Sequence, residues 1–163
     1  MASWFRRARN AVADQVQQAP DPDSPEVLAS ALTDLIRLIN SSAGRLPVAA
    51  VVAARHVTDV VDDILDSIAD DVTPDIQAVI SVRGIVYDYL PTTLHRYLAL
   101  DPASTSEVLA HGRTPAEQVT EQLDDLWQAA TDVLEATRAR DADALVAQGT
   151  FLRTKFTRSD LDL

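Results

Sequence analysis

Apolar residues recur along this chain at intervals of three and four, the spacing that places side chains on one face of an α-helix. Ser24-Pro25-Glu26 predicts a helix start, and Gly44 is a suitable place for that helix to end. A second stripe predicts a helix from about Pro47 to Asp71. The apolar positions of these two helices are Leu28, Leu32, Leu35, Ile39, Val57, Val60, Val61, Ile64, Leu65 and Ile68.

The most apolar predicted helix follows Thr73-Pro74-Asp75, which repeats the capped start. A helix that is apolar on most sides belongs in the middle of a bundle. Pro91 is expected to kink or break this helix, because proline lacks an N–H and clashes with the carbonyl four residues earlier. The helix can then resume through Tyr97.

The strongest helix start in the chain is the capping box formed by Thr114, Pro115 and Glu117. Residues 101–113 before it are predicted to form a loop, and Asp141 is interpreted as the cap of a further helix. The stripes of these two helices are Val119, Leu123, Leu126, Ala130 and Val133, then Leu145, Gly149, Leu152 and Phe156.

The N-terminal segment carries a separate amphipathic pattern over about residues 4–18, with Ser3 as its cap. Pro20, Pro22 and Pro25 then predict an extended linker. The predicted organisation is an amphipathic arm over residues 1–19, a linker over 20–25, a helical bundle over 26–157 and a tail over 158–163.

The predicted fold class is therefore all-α, an antiparallel bundle of four to five helices with a separate N-terminal amphipathic helix. The composition agrees, since 47% of the 163 residues are hydrophobic and only 4 are glycine. The absence of cysteine excludes disulfides and zinc-thiolate sites. No catalytic residue, metal ligand set or cofactor is expected, because no phosphate loop, dinucleotide motif or nucleophile elbow occurs.

The net charge of -11 argues against binding to nucleic acid, because an acidic body repels phosphates. The longest apolar run, Leu46 to Ala54, is too short to span a bilayer, which needs about 20 residues. Without a secretory signal the chain is expected to be cytoplasmic. Trp4 and Phe5 lie beside three arginines, and this combination predicts that the N-terminal segment also makes weak contact with the anionic inner face of the cell membrane. Those arginines are Arg6, Arg7 and Arg9.

Two features have a functional and a structural interpretation. His56 and Asp59 share a helix face, as metal ligands would, but no Glu-x-x-His pair accompanies them, and a solvated histidine is the simpler interpretation. The acidic ridge on the same helix could bind a cation or a basic partner, or could be a solvated face. Its residues are Asp59, Asp62, Asp63, Asp66 and Asp70.

The densest sequence feature surrounds Pro91, where tyrosines, hydroxyls and basic residues follow one another. It could be a purely structural bend, or a partner or ligand surface with a pocket at the proline. The candidate residues are Tyr89, Leu90, Pro91, Thr92, Thr93, Leu94, His95, Arg96 and Tyr97.

This stretch, with Tyr-Leu-Pro-Thr-Thr-Leu at residues 89–94, resembles the XpaC-like family, which is associated with TelA-type toxic-anion (tellurite) resistance proteins. It is also similar to a group of small actinobacterial helical proteins. The resemblance covers roughly residues 76–156 and implies no defined catalytic residue. Its later matches are Gln122-Leu123, Asp143-Ala144-Leu145, Gly149, Phe151-Leu152 and Phe156.

The expected function is that of a non-enzymatic interaction protein whose partner is another protein, in an envelope- or toxic-anion-stress system. One alternative is a small-molecule binder or enzyme with a pocket at Pro91, lined by Tyr89, His95, Arg96 and Tyr97. Another is an assembly subunit, a homo-oligomer whose arm docks on a neighbouring copy.

We predict that residues 3–16 bind anionic vesicles reversibly at low salt, because each basic residue near such a surface contributes about 1 kcal/mol. Sedimentation with anionic and neutral vesicles checks this. The Trp4→Ala/Phe5→Ala variant and a chain that begins at Asp21 should stay in the supernatant. Full-length protein that also stays there with anionic vesicles would refute the membrane contact.

Overall fold

The computed structural model describes residues 21–70, 75–109 and 112–159, with side chains described up to residue 147 apart from those of residues 70 and 144. Every regular element in these ranges is helical, which confirms the all-α prediction. The elements are α1 (Pro25–Ser42), α2 (Val48–Asp70), α3 (Ile76–Gly84), a π-helical turn (Ile85–Tyr89), α4 (Leu90–Leu98), a 3₁₀ helix (Pro102–Ser106) and α5 (Pro115–Ser159). The predicted arm with Trp4, Phe5, Arg6, Arg7 and Arg9 lies outside the described residues.

The start of α1 is capped as the sequence predicts, since the Ser24 hydroxyl accepts a hydrogen bond from the Val27 amide at 3.3 Å. Its end differs from the prediction. α1 stops at Ser42 with right-handed backbone at Ala43, and Gly44 does not take the left-handed conformation of a glycine terminator. Instead, the amides of Arg45 and Leu46 both donate hydrogen bonds to the Ser42 carbonyl.

Residues 21–24 form a turn and not an extended linker. The Ser24 amide donates to the Asp21 carbonyl at 3.0 Å, and the Asp21 carboxylate accepts from the Asp23 amide at 3.0 Å. Aspartate commonly closes such turns by bonding to the backbone two residues on. The chain therefore turns immediately before α1 begins.

α3 begins after Asp75, whose carboxylate accepts hydrogen bonds from the amides of Gln77 at 3.0 Å and Ala78 at 3.2 Å. Asp75 is therefore the cap that the sequence analysis placed at Thr73, and residues 71–74 lie outside the described ranges. An aspartate at this position both satisfies free amides and interacts favourably with the positive end of the helix dipole.

Of the kink or break expected at Pro91, the break does not occur, because helix continues from Ile76 through Leu98. The chain accommodates Pro91 by widening the preceding turn: the Leu90 amide donates to the carbonyl of Ile85, five residues earlier. A π-type turn of this kind changes which carbonyls face the proline ring, so the usual clash with the carbonyl four residues back is relieved. Pro91 then occupies the first turn of α4, where a missing amide hydrogen costs little.

α5 begins with the predicted capping box. The Thr114 hydroxyl accepts from the Glu117 amide at 3.2 Å, and the Glu117 carboxylate accepts from the Thr114 amide at 2.9 Å. The predicted new helix at Asp141 is wrong, because α5 runs unbroken from Pro115 to Ser159. The Asp141 carboxylate instead accepts a hydrogen bond from Ser67 at 3.2 Å, and Leu145, expected in a core stripe, is 70% exposed.

The continuous α3–α4 stretch runs antiparallel to α5, because Asp75 at its start contacts Arg140 and Arg96 near its end lines a cavity with Gln118. α2 and α5 run in the same direction and form the most extensive helix contact. The pairs between α2 and α5 advance together along both helices. The rings of His56 and Trp127 lie 5.3 Å apart, and further along Ser67 reaches Asp141. α5 therefore packs against the apolar stripe of α2. The α3–α4 stretch packs against both α2 and α5 and completes the bundle.

The core stripes of α1 and α2 lie where the periodicity predicts, with only Val60 partly exposed. α3 is not the central helix that its apolar composition predicted. Ile76 is 68% exposed and Ile80 56% exposed, whereas the α2 side chains Val57, Val61 and Ile64 are fully buried. α2, which packs on α1, α3 and α5, occupies the middle of the bundle.

Leu123→Ala is predicted to lower the free energy of unfolding by about 2–5 kcal/mol, because Leu123 is fully buried and its removal leaves a cavity. Leu126, one turn later and only partly buried, is the matched control, and Leu126→Ala should cost less than about 2 kcal/mol. Denaturant midpoints measure both. Equal losses in the two variants would contradict the packing of α5 described above.

Candidate functional site

A groove on the outside of the bundle runs between the α3–π-turn stretch and the middle of α5, and we call it the outer groove. It encloses about 520 Å³. Ile76 and Ile80 continue the apolar row of α3 beside it. Its lining residues are Ile80, Ser81, Arg83, Gly84, Ile85, Asp88, Tyr89, Leu126, Ala129 and Val133.

Gly84 and Tyr89 shape this groove together. A Cβ atom at Gly84 would lie only 3.2 Å from Cε2 of Tyr89, closer than side-chain contacts normally allow. The π-helical turn brings residues five apart onto the same face, so the Tyr89 ring lies back over the glycine. The ring stays 64% exposed and forms one wall of the groove.

Two ion pairs hold the elements beside the groove. Arg140 of α5 pairs with Asp75 at the start of α3, and Arg83 pairs with Asp23 of the entry turn at 3.4 Å. Burial raises the pKa of Asp75, but the Ala78 amide and the Arg140 guanidinium outweigh it and hold that pKa below its ordinary value. Asp75 therefore stays ionised and ties α3 to α5.

The residues around Pro91 do not share one pocket. Leu90, Leu94 and Tyr97 are buried in the core, and Tyr89 lines the outer groove. The exposed residues Thr92 and His95 line neither the outer groove nor the cavity described next, and Pro91 is partly buried. The structure therefore places Tyr89 beside one cavity and Arg96 and Tyr97 beside another.

A second cavity, which we call the Arg96 cavity, lies between α4 and the start of α5 and encloses about 300 Å³. It brings together the later half of the motif and Gln122, two places that the sequence resemblance singled out separately. Its lining residues are Thr93, Arg96, Tyr97, Leu100, Leu109, Pro115, Gln118, Val119 and Gln122.

Four residues of the acidic ridge of α2 are exposed to solvent, namely Asp59, Asp62, Asp63 and Asp66, and the side chain of Asp70 lies outside the described ones. Burial raises the pKa of Asp62, and the charges of Asp66, Asp63 and Asp59 raise it further. Arg138 of α5 pairs with Asp63 at 3.2 Å. Among the described residues no group of three or more histidine, cysteine or acidic side chains is arranged to hold a metal ion, and His56 instead lies against Trp127.

Comparison of the chain with protein-family models, curated proteins and solved structures found no match in any of the three. The resemblance to the XpaC-like family stays a hypothesis that rests on the residues named for it. No helix in residues 21–70, 75–109 and 112–159 is long and apolar enough to cross a membrane.

Sequence reasoning missed the outer groove, although one signal for it was present. Ile76, Ile80 and Gly84 follow one another at intervals of four residues, so they lie on the same face of the helix. A glycine in the interior of a helix costs stability and often marks a close approach. The residue that approaches this glycine is Tyr89, five positions further along the chain. The two residues share a helix face only in a π-type turn, which the sequence pattern does not predict.

Asp75→Asn is predicted to lower the free energy of unfolding at pH 7 by about 1–2 kcal/mol, because asparagine keeps the cap but loses the charge-assisted bond to Arg140. The pKa of Asp75 is lower in the folded state, so its contribution is complete above the ordinary value of 3.8 and is lost as the pH falls through the folded-state pKa.

Unfolding midpoints of both proteins between pH 7 and pH 2 measure this difference. Asp34→Asn is the control, because the Asp34–Arg37 pair is largely exposed and should contribute little. A difference between Asp75→Asn and the natural protein that persists unchanged at the lowest pH would contradict an ionic role for Asp75.

Proposed function

We propose that this protein is a non-enzymatic helical interaction protein that binds a partner protein in the outer groove, as a component of an envelope- or toxic-anion-stress system. The observation that carries the proposal is the row of exposed apolar side chains on one side of the bundle. Ile76, Ile80 and Tyr89 are 68%, 56% and 64% exposed, and Ile80 and Tyr89 line the groove together with apolar residues of α5.

Contiguity distinguishes this row from ordinary surface. Single exposed apolar side chains occur on every soluble protein and need no explanation. Several that adjoin one another beside a groove are typical of an interaction site. The groove also lies between two antiparallel helices, a geometry into which a third helix packs by its own apolar stripe.

The chemistry of the groove favours an amphipathic helix with basic residues beside its apolar stripe. Leu126, Ala129 and Val133 offer an apolar floor, and Tyr89 an aromatic wall with a polar tip. Asp88 lines the groove, Arg83 beside it is paired with Asp23, and the whole chain carries a net charge of -11. Complementary charge on the partner would speed its association and select it over acidic helices.

The stress-system part of the proposal is supported by the sequence resemblance, and the membrane part by residues 3–16. An arm with Trp4, Phe5 and three arginines would bring the acidic bundle to the inner face of the cell membrane only weakly. This location would place the outer groove near envelope proteins. The two parts are separable, because vesicle binding and groove binding use different residues.

The absence of cysteine makes a sharp test possible, because Ile80→Cys introduces the only thiol in the chain. A photoactivatable cross-linker attached there should join the protein, in an extract of the native host, to one amphipathic basic segment identified by mass spectrometry. Adding Ile76→Asp should abolish that product, since a charge in the row opposes apolar docking.

Thr33→Cys, on an exposed position of α1, is the matched control and should not give the same product. A product of two copies, at twice 17.7 kDa, would replace the proposal with a homo-oligomer. A cross-link to residues 3–16 of the same chain would show that the arm occupies the groove. The proposal would be overturned if the cross-linker at residue 80 gave only the products that the cross-linker at residue 33 also gives.

A further inference from the structure

Arg96 differs from every other arginine whose side chain is described. Eight arginines fall in that set, and seven of them donate to a side-chain or backbone acceptor among the described residues. Those seven are Arg37, Arg45, Arg55, Arg83, Arg113, Arg138 and Arg140. On a chain with a net charge of -11, acidic partners are plentiful, and a guanidinium that faces a cavity without one is unusual.

The cavity that Arg96 lines has apolar walls and further hydrogen-bonding groups. Tyr97, Leu100 and Val119 supply part of the apolar lining. The Thr93 hydroxyl and the Gln122 side-chain amide also line the cavity, and neither bonds to another described residue. A few polar groups around an apolar pocket are typical of small-molecule sites, and about 300 Å³ is at the lower end of their usual size.

We propose that the Arg96 cavity binds a small organic monoanion, a carboxylate carried on an aromatic or aliphatic body. The fork of a guanidinium matches a carboxylate through two parallel hydrogen bonds. Thr93 and Gln122 can donate to the same carboxylate or to a polar substituent beside it. The apolar walls cover the body of the ligand and supply the affinity that one exposed ion pair lacks.

The charge of the whole molecule favours a ligand with a single negative charge over a more highly charged one. Each additional charge on a ligand is repelled by a chain of net charge -11, so phosphate and polyphosphate groups are disfavoured relative to a carboxylate. A metal cation is disfavoured by Arg96 itself. This site lies apart from the outer groove, so its test succeeds or fails independently of the proposed interaction function.

Benzoate is the probe, followed by amide chemical shifts of the full-length protein labelled with nitrogen-15. Benzoate should saturably shift the amides of residues 93–97 and 118–122. Benzamide, which lacks the charge, and acetate, which lacks the body, should bind at least about tenfold more weakly. Inorganic phosphate should also bind more weakly than benzoate, because of its higher charge.

Arg96→Gln should weaken benzoate binding about tenfold and leave the unfolding midpoint unchanged, since the side chain is exposed. Arg37→Gln removes the same charge elsewhere on the surface and should leave the affinity unchanged. Equal affinity in the Arg96 variant, equal binding of benzamide, or shifts confined to another face would overturn the proposal. The benzamide comparison uses the natural chain alone and therefore stays decisive if the variant is destabilised.

Discussion

Pro91 imposes the constraint on which the shape of both candidate cavities depends. A proline within a continuous helix has to be relieved of its clash with an earlier carbonyl, and here the relief is one π-helical turn over Ile85–Tyr89. The extra residue in that turn lays Tyr89 over Gly84 and yet keeps Leu90 and Leu94 in the core. The motif is therefore divided, with Tyr89 facing one cavity and Thr93 and Arg96 facing another.

Local signals in the sequence predicted the helices well where they concern a residue and its near neighbours. The capping box at Thr114 and the cap at Ser24 depend on atoms within three residues, and both occur as predicted. The apolar stripes of α1 and α2 also lie in the core as predicted. A helix whose apolar residues recur strictly every three and four positions has only one apolar face to bury.

The failures share a different cause, since each depends on a partner distant in sequence. Asp141 has the residue type of a helix cap, but its carboxylate accepts a hydrogen bond from the Ser67 hydroxyl and α5 continues past it. The apolar composition of α3 predicted burial on most sides, yet the helices placed around it leave Ile76 and Ile80 outside. The residues around Pro91 could be singled out from the sequence, whereas the outer groove and the separation of Tyr89 from Arg96 depend on the π turn and on the packing of α5.

The parallel pairing of α2 and α5 has a consequence for the order in which the chain folds. Contacting residues such as His56 and Trp127, or Asp63 and Arg138, lie about 70 residues apart in sequence. Contacts of such long range form slowly, because the loop between them has to be closed before they return any free energy. During synthesis α1 to α4 leave the ribosome before α5, so the part of the α2 stripe that packs on α5 stays exposed until α5 completes the core.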